Sequence, residues 1–203
     1  MTTSTRAERR QQNVALDGRA VATTTTEETT SQRWSRYIAA ATRLSLGWVF
    51  LWAFLDKTFA LGHETGADPA TGAVDYFGPA AWINGGSPTK GFLSFAVKGP
   101  LADFYSGLAG NVIVDWLFML ALLGIGVALL LGIGMRMAAV AGAALLVMMW
   151  SAVLPPANNL FMDDHIVYAL VLGLLALIGA GRTFGFGKQW ERIPLVHKHG
   201  WLK

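Results

Sequence analysis

The sequence contains no cysteine. The chain therefore cannot form a disulfide, cycle a dithiol pair, or hold an iron–sulfur cluster or a zinc ion through thiolates. Any redox activity has to use a bound small molecule or a partner protein. Two Gly-x-Gly matches, at 132–134 and 185–187, lie outside a strand-turn-helix pattern, so no nucleotide site is expected.

Charge is also scarce, since only 14% of the 203 residues are charged while 53% are hydrophobic. A soluble domain of this length does not need so large an apolar fraction for its core, so the excess apolar surface predicts contact with a lipid bilayer. Four apolar runs are each about long enough to cross a hydrocarbon layer of roughly 30 Å. These runs cover residues 37–61, 112–133, 137–154 and 165–181.

Backbone polar groups in lipid must be satisfied within each segment, which favours helices for all of these runs. The predicted fold class is therefore all-α, a polytopic membrane four-helix bundle formed by residues 33–183. Residues 64–111, between the first two runs, are rich in glycine and proline. We expect a long ordered outer loop here, with residues 82–108 packed on the outer end of the bundle through their apolar side chains.

The positions of lysine and arginine predict the orientation of the bundle. Basic residues flank the first and last runs, and Arg136 lies between the second and third, whereas acidic residues outnumber basic ones in 64–111. The positive-inside rule then puts both termini in the cytoplasm. The pI near 9.4 is therefore a topology signal, and no nucleic-acid partner is expected.

The two terminal segments differ in composition. Residues 1–32 are polar, with few large apolar side chains, and are predicted to be a disordered cytoplasmic tail. Residues 184–203 interleave aromatic and basic side chains, which is typical of a basic cytoplasmic tail on the inner membrane surface. Arg43, seven residues into the first run, is expected to extend to the inner headgroups.

Polar residues in or beside the runs are predicted to converge near the outer leaflet. A charge in the middle of a span costs on the order of 2.5 to 3.5 kcal/mol, so such residues pair, reach water or serve a function. Span-end charges that simply reach water are the alternative interpretation. The group comprises Asp56, Lys57, Asp115, Asp163, Asp164 and His165.

Four segments resemble the DoxX/DoxD family of prokaryotic four-helix membrane proteins. They lie at residues 43–57, 81–92, 158–165 and 179–182, and the resemblance covers roughly residues 35–190. It implies a multi-pass protein of the prokaryotic cell membrane with a link to thiosulfate:quinone oxidoreductase. That enzyme oxidises thiosulfate to tetrathionate and reduces membrane quinone, and its large DoxD-type subunit works with a DoxA subunit. A DoxA-like partner subunit and a membrane quinone are therefore expected here.

Two hypotheses follow from this resemblance. In the first, Lys57 or His165 hydrogen-bonds the quinone carbonyl oxygens and Asp56 or Asp164 relays protons, while Lys57, Asp115 and Trp116 form the ligand site. In the second, the chain is a non-catalytic anchor or scaffold for a redox complex. A transporter is not favoured, because no inverted repeat is present. No metal and no haem are expected, since only His63 and His165 share a side of the membrane.

Overall fold

The structure is a computed structural model that describes residues 28–157 and 159–203. Residues 1–27 of the predicted disordered tail lie outside the described residues, and so does Asn158. Residues 30–32 already belong to the first helix, so the predicted end of the tail at residue 32 is wrong. Within the described ranges the chain is helical, and its only β pairings are isolated bridges, which confirms the all-α prediction. Residues 35–203 form one compact unit, which holds the helix bundle.

Eight α-helices of very different length make up the described chain. Three of them, the first, fourth and fifth in chain order, are long and apolar enough to cross a membrane. In order they are α1 Thr30–Phe59, α2 Lys90–Phe95, α3 Ala102–Ser106, α4 Val112–Leu131, α5 Met135–Ala152, α6 Asp164–Leu177, α7 Gly187–Trp190 and α8 Pro194–Lys198.

The connection between α4 and α5 is a tight turn built on two glycines. Gly132 ends α4 with φ 71°, and Gly134 precedes α5 with φ 56°, a region that side-chain-bearing residues rarely occupy. At the other end of α4, Asn111 caps the helix by accepting hydrogen bonds from the backbone N–H groups of Ile113 and Val114. The observed bounds agree closely with the predicted run 112–133.

Helix α6 is shorter than the apolar run that predicted it. It begins after the cap residue Asp163 and ends at Leu177, because Gly179 adopts φ 65° and the chain turns into a 3-10 turn at Ala180–Arg182. Its 14 residues extend for about 21 Å, less than the roughly 30 Å of a hydrocarbon layer. The structure therefore supplies three full-length candidate spans and one shorter apolar helix.

The long helices meet at mid-length around Gly142 of α5. A Cβ built on Gly142 would lie 2.6 Å from Leu172 Cδ1 of α6, 3.5 Å from Ile125 Cγ2 of α4 and 3.7 Å from Phe50 Cζ of α1. The absence of a side chain thus lets α5 approach its three neighbours. Residues from α1, α4, α5 and α6 form the surrounding apolar core, including Leu46, Phe50, Met119, Leu146 and Leu172.

Helices α1 and α4 run antiparallel and cross closely at two glycines. A Cβ on Gly47 would lie 3.0 Å from the backbone nitrogen of Leu130, and a Cβ on Gly126 would lie 2.8 Å from that of Leu51. A side chain at either position would therefore press against the backbone of the other helix. Backbone approach of this kind is typical of helices packed in lipid, where small residues set the interhelical distance.

The outward faces of the long helices are apolar. Leu117 of α4, Val140 of α5 and Leu170 of α6 are among many large aliphatic side chains that remain exposed. A contiguous exposed apolar surface is unfavourable in water but favourable against lipid tails. This surface agrees with the composition and indicates a membrane environment.

Candidate functional site

The candidate residues lie at one end of the bundle, which we call the loop end. It contains the end of α1, the start of α4, the end of α5, the start of α6 and the loop 60–111. The backbone N–H of Lys98 donates to the Ala152 carbonyl at 2.9 Å, which ties the loop to the end of α5. The indole N–H of Trp150 donates to the Phe161 carbonyl at 2.7 Å, which ties the segment before α6 to α5.

Asp56 is buried and holds the chain that leaves α1. Its two carboxylate oxygens accept hydrogen bonds from the backbone N–H groups of His63 and Glu64, both at 3.0 Å. Its side chain is almost completely inaccessible, with 1% exposure. Both oxygens are engaged by the backbone, so this carboxylate has a structural task and is poorly placed to relay protons.

Lys57 is half-buried and has no close partner. In the ranges that the structure describes, it forms no ion pair or side-chain hydrogen bond, and the nearby acidic charges are those of Asp56 and Glu64. Lys57 thus forms no ion pair with Asp56, Asp115 or Asp164 in these ranges, although the charge of Asp56 lies nearby. Its three N–H donors remain available to a ligand or to water.

Asp115 and Trp116 connect the start of α4 to the loop. The carboxylate of Asp115 accepts from the backbone N–H of Thr89 at 3.2 Å and from its hydroxyl at 2.5 Å. The ring of Trp116 stacks edge-to-face on that of Trp82, with centroids 4.7 Å apart. The loop is thus anchored at two points, although Phe95 and Phe104 remain exposed, contrary to the expectation that its apolar side chains would be covered.

His165 is oriented by a neighbouring carboxylate. Its Nδ1 lies 2.8 Å from Asp163 Oδ2 and 3.5 Å from Asp164 Oδ1. Asp163 is also fixed, because its other oxygen accepts from the Ile166 backbone N–H at the start of α6. When Nδ1 carries the proton towards Asp163, Nε2 is left as the acceptor, and it forms no hydrogen bond among the described residues.

These three side chains also present oxygen and nitrogen atoms suited to a cation. One ligand atom from each of Asp163, Asp164 and His165 lies within 4.8 Å of the others. The geometry is that of a short N-terminal cap sequence, and Asp164 is mostly exposed to solvent. A cation could be held here, but the hydrogen bonds already account for the arrangement of Asp163 and His165.

The side chain of Arg43 is fully buried at the end of the bundle opposite the loop end. Its guanidinium donates to the carbonyl oxygens of Leu129, Leu130, Thr183 and Phe184, while Nε has no partner. The expectation that Arg43 extends to the headgroups is therefore wrong. The carbonyls at the end of α4 lack helical partners and need donors, which is the physical reason for this position.

Residues 184–203 pack against the end of the bundle at which Arg43 lies. The backbone N–H of Phe186 donates to the Leu131 carbonyl at 2.8 Å, and the indole of Trp190 donates to the Leu202 carbonyl at 2.7 Å. The guanidinium of Arg136 donates to the Gly200 carbonyl at 2.7 Å. The segment predicted as a basic tail is thus folded into α7, α8 and a final 3-10 turn.

The described residues form an all-α fold, and three of their helices are long and apolar enough to cross a membrane, which indicates a membrane protein. Comparisons with protein-family models, with curated proteins and with solved structures find no match.

Proposed function

We propose that the chain is a membrane redox subunit of DoxX/DoxD type that passes electrons to a membrane quinone at the loop end. In this proposal it crosses the prokaryotic cell membrane four times, with both termini in the cytoplasm. The observation that carries the proposal is the contact between His165 and Asp163, which holds an imidazole with one free nitrogen beside the bundle.

The fourth span of the proposal is α6. Its helix is short, but Leu170, Leu174 and Leu177 present an exposed apolar face, which suits lipid. A helix shorter than the bilayer is accommodated by local thinning at a cost of fractions of a kcal/mol per Å. Packing against α5 through Gly142 and Leu172 supports a position inside the bundle.

Quinone reduction requires two electrons and two protons. Oxidation of two thiosulfate ions to one tetrathionate releases two electrons, and the quinone takes these together with two protons to become the quinol. The chain has no cysteine, so its own thiols cannot carry the electrons. A partner subunit of DoxA type would contact thiosulfate, while this chain would bind the quinone.

The loop end offers two groups for the proton and hydrogen-bond chemistry of a quinone. A histidine oriented by a carboxylate is a common general acid and base, because its pKa is ordinarily close to neutral pH. Lys57 has no competing partner in the described chain, so its ammonium can donate to a quinone carbonyl oxygen. Asp56 is left out of this mechanism, since backbone N–H groups already occupy both of its oxygens.

A second candidate function, a non-catalytic anchor for a redox complex, is favoured by a specific observation. Both buried carboxylates of the loop end, Asp56 and Asp115, are engaged in holding the loop rather than facing a ligand. An anchor would need this rigidity and would need no proton transfer. The two functions differ in whether quinone reduction depends on His165 and Lys57.

Thiosulfate-dependent quinone reduction in membranes that contain the chain and its partner tests the proposal. Asp163→Asn keeps the cap of α6 but removes the negative charge beside His165, whereas Asp164→Asn removes an exposed charge at 3.5 Å. We expect His165→Ala and Asp163→Asn to lower turnover by about 10²-fold, with Asp164→Asn close to the wild type. Lys57→Ala should raise KM for quinone, since it removes a donor to the ligand.

Unchanged turnover in His165→Ala together with an unchanged KM for quinone in Lys57→Ala, with both variants still inserted in the membrane, would rule out the catalytic function. The anchor function then predicts that a redox partner still co-purifies with both variants. Quinone extracted from the purified protein provides an independent check, because the redox subunit should retain it and the anchor should not.

A further inference from the structure

A cavity of about 130 Å³ lies at the end of the bundle opposite the loop end. It opens where the Gly132–Gly134 turn, the end of α6 and the start of α7 meet. This volume is well below the roughly 300 to 1,000 Å³ of pockets that enclose a drug-sized molecule. The cavity can therefore take a small charged group rather than a whole cofactor.

The polar wall of the cavity is basic. Arg136 and Arg182 both line it, and Glu191 is the single acidic side chain in its lining. Arg182 Nε and Nη2 each donate to Glu191 at 2.9 Å, while Arg136 uses one terminal nitrogen on the Gly200 carbonyl. Each guanidinium has five N–H donors, so both retain donors for an anion. The Glu191 carboxylate also raises the pKa of Arg182 above its usual value, so Arg182 stays charged.

Another part of the cavity wall is apolar and exposed. Leu177 and Ile178, at the end of α6, both line the cavity and are 87% and 55% exposed. In a membrane these side chains contact acyl chains, while the arginines lie at headgroup depth. A ligand that is anionic at one end and apolar along the other fits both walls.

We propose that this cavity binds the headgroup phosphate of an anionic phospholipid, with the acyl chains lying against Leu177 and Ile178. Arginine binds phosphate through paired N–H donors, and basic pockets between membrane helices are typical headgroup sites. The predicted cytoplasmic position of this end agrees with the anionic inner leaflet. The site is separate from the loop end and does not depend on the proposed redox function.

The test measures lipid binding to the full chain in detergent by native mass spectrometry, with phosphatidylglycerol and phosphatidylcholine as probes. We expect phosphatidylglycerol to be retained about tenfold more than phosphatidylcholine. The double variant Arg136→Gln and Arg182→Gln should lose this preference. A matched double variant, Lys188→Gln and Arg192→Gln, removes two exposed bases from α7 and the turn after it, outside the cavity lining, and should keep the preference.

A third variant tests the site without removing an arginine. Glu191→Gln frees the donors of Arg182 and should increase phosphatidylglycerol retention, an effect that a purely structural ion pair would not produce. Equal losses in the two double variants would indicate diffuse surface attraction and overturn the site, as would the absence of any gain in Glu191→Gln. The last measurement compares phosphatidylglycerol with inorganic phosphate. Each is added to the protein in phosphatidylcholine, and the Tm of the protein is measured. If inorganic phosphate raises this Tm as much as phosphatidylglycerol does, the site binds a free anion from solution and the lipid proposal is wrong.

Discussion

Asp115 accepts two hydrogen bonds from Thr89, one from its backbone N–H at 3.2 Å and one from its hydroxyl at 2.5 Å. Both side chains are buried, and Thr89 immediately precedes helix α2 in the loop. Hydrogen bonds to a carboxylate are stronger than neutral ones, especially where water is excluded. This contact therefore fixes α2 of the loop on the first turn of α4.

Replacing Thr89 with valine removes the hydroxyl donor at nearly constant volume. The carboxylate of Asp115 then keeps only the backbone N–H, so we expect a loss of about 1 to 3 kcal/mol in the free energy of unfolding. Amide exchange in α2 should become faster. Ser94→Ala, an exposed position on the same helix, is the control and should change neither quantity. Equal exchange in Thr89→Val and the wild type would show that the contact does not hold the loop.

Arg43→Met should release the segment after α6. The substitution removes donors from four carbonyls, two at the end of α4 and two at Thr183 and Phe184, at a cost of about 3 kcal/mol. Limited proteolysis of the protein in detergent should then cleave residues 184–203 faster than in the wild type. Lys188→Met removes an exposed base from the same end and should leave the cleavage rate unchanged. Similar rates in both variants would contradict this role of Arg43.

The turn at Asp68 should respond to acid. Asp68 Oδ1 accepts from the backbone N–H groups of Ala70 and Thr71, both at 2.8 Å, and these bonds hold the pKa of Asp68 below its usual value. A pKa that is lower in the folded state stabilises the turn above the ordinary aspartate value of about 3.9, and this stabilisation is lost as the pH falls through the folded value.

Carbon NMR of the Asp68 carboxyl group gives that titration midpoint directly, and we expect it below about 3.9. Asp68→Asn should abolish the acid-dependent shifts of the Ala70 and Thr71 amides. A midpoint at or above the ordinary value would mean that the turn does not depend on the charge.

Reporter fusions test the topology. A reporter fused after Lys203 or inserted within residues 1–30 should be cytoplasmic, and one inserted near Gly72 should be external, because basic residues flank the first and last apolar runs. The purified membranes should give the same result by protease protection. An external reporter after Lys203 would contradict four spans.

The sequence predicted the bounds of α4 and α5 to within two residues, but it placed the start of α1 at residue 37, whereas the helix begins at Thr30. The prediction for α4 succeeded because strong local signals bound its apolar run. Helix α4 begins after Asn111 and is followed by Gly132. Asparagine is favoured at the N-terminal cap of a helix, and glycine is favoured just after its C-terminal end. The prediction was less accurate for α6, because its apolar run continues to residue 181 while the helix ends at Leu177. Hydrophobicity does not distinguish a helix from an apolar turn, and a positive φ at Gly179 depends on the packing of the following segment.

The sequence predicted that the candidate residues lie at one end of the bundle, but it did not predict their contacts. Asp56, Asp115 and His165 all lie at the loop end, yet the first two bind loop atoms and the third binds Asp163. The sequence shows that a charged residue in an apolar run needs a polar partner. It does not show whether that partner is another side chain or a backbone N–H group. The contacts of Arg43 with carbonyl groups 86 to 141 residues away could not be predicted from the sequence for the same reason.

The crossing of α1 and α4 at Gly47 and Gly126 limits how a lipid-soluble molecule can travel. Backbone atoms of the two helices approach so closely there that even a methyl group would collide. A flat ring diffusing in the bilayer cannot pass between α1 and α4 at that depth. A quinone that reaches the loop end between α1 and α4 has to enter on the loop-end side of this crossing, and bulky substitutions there would reveal whether it takes this route.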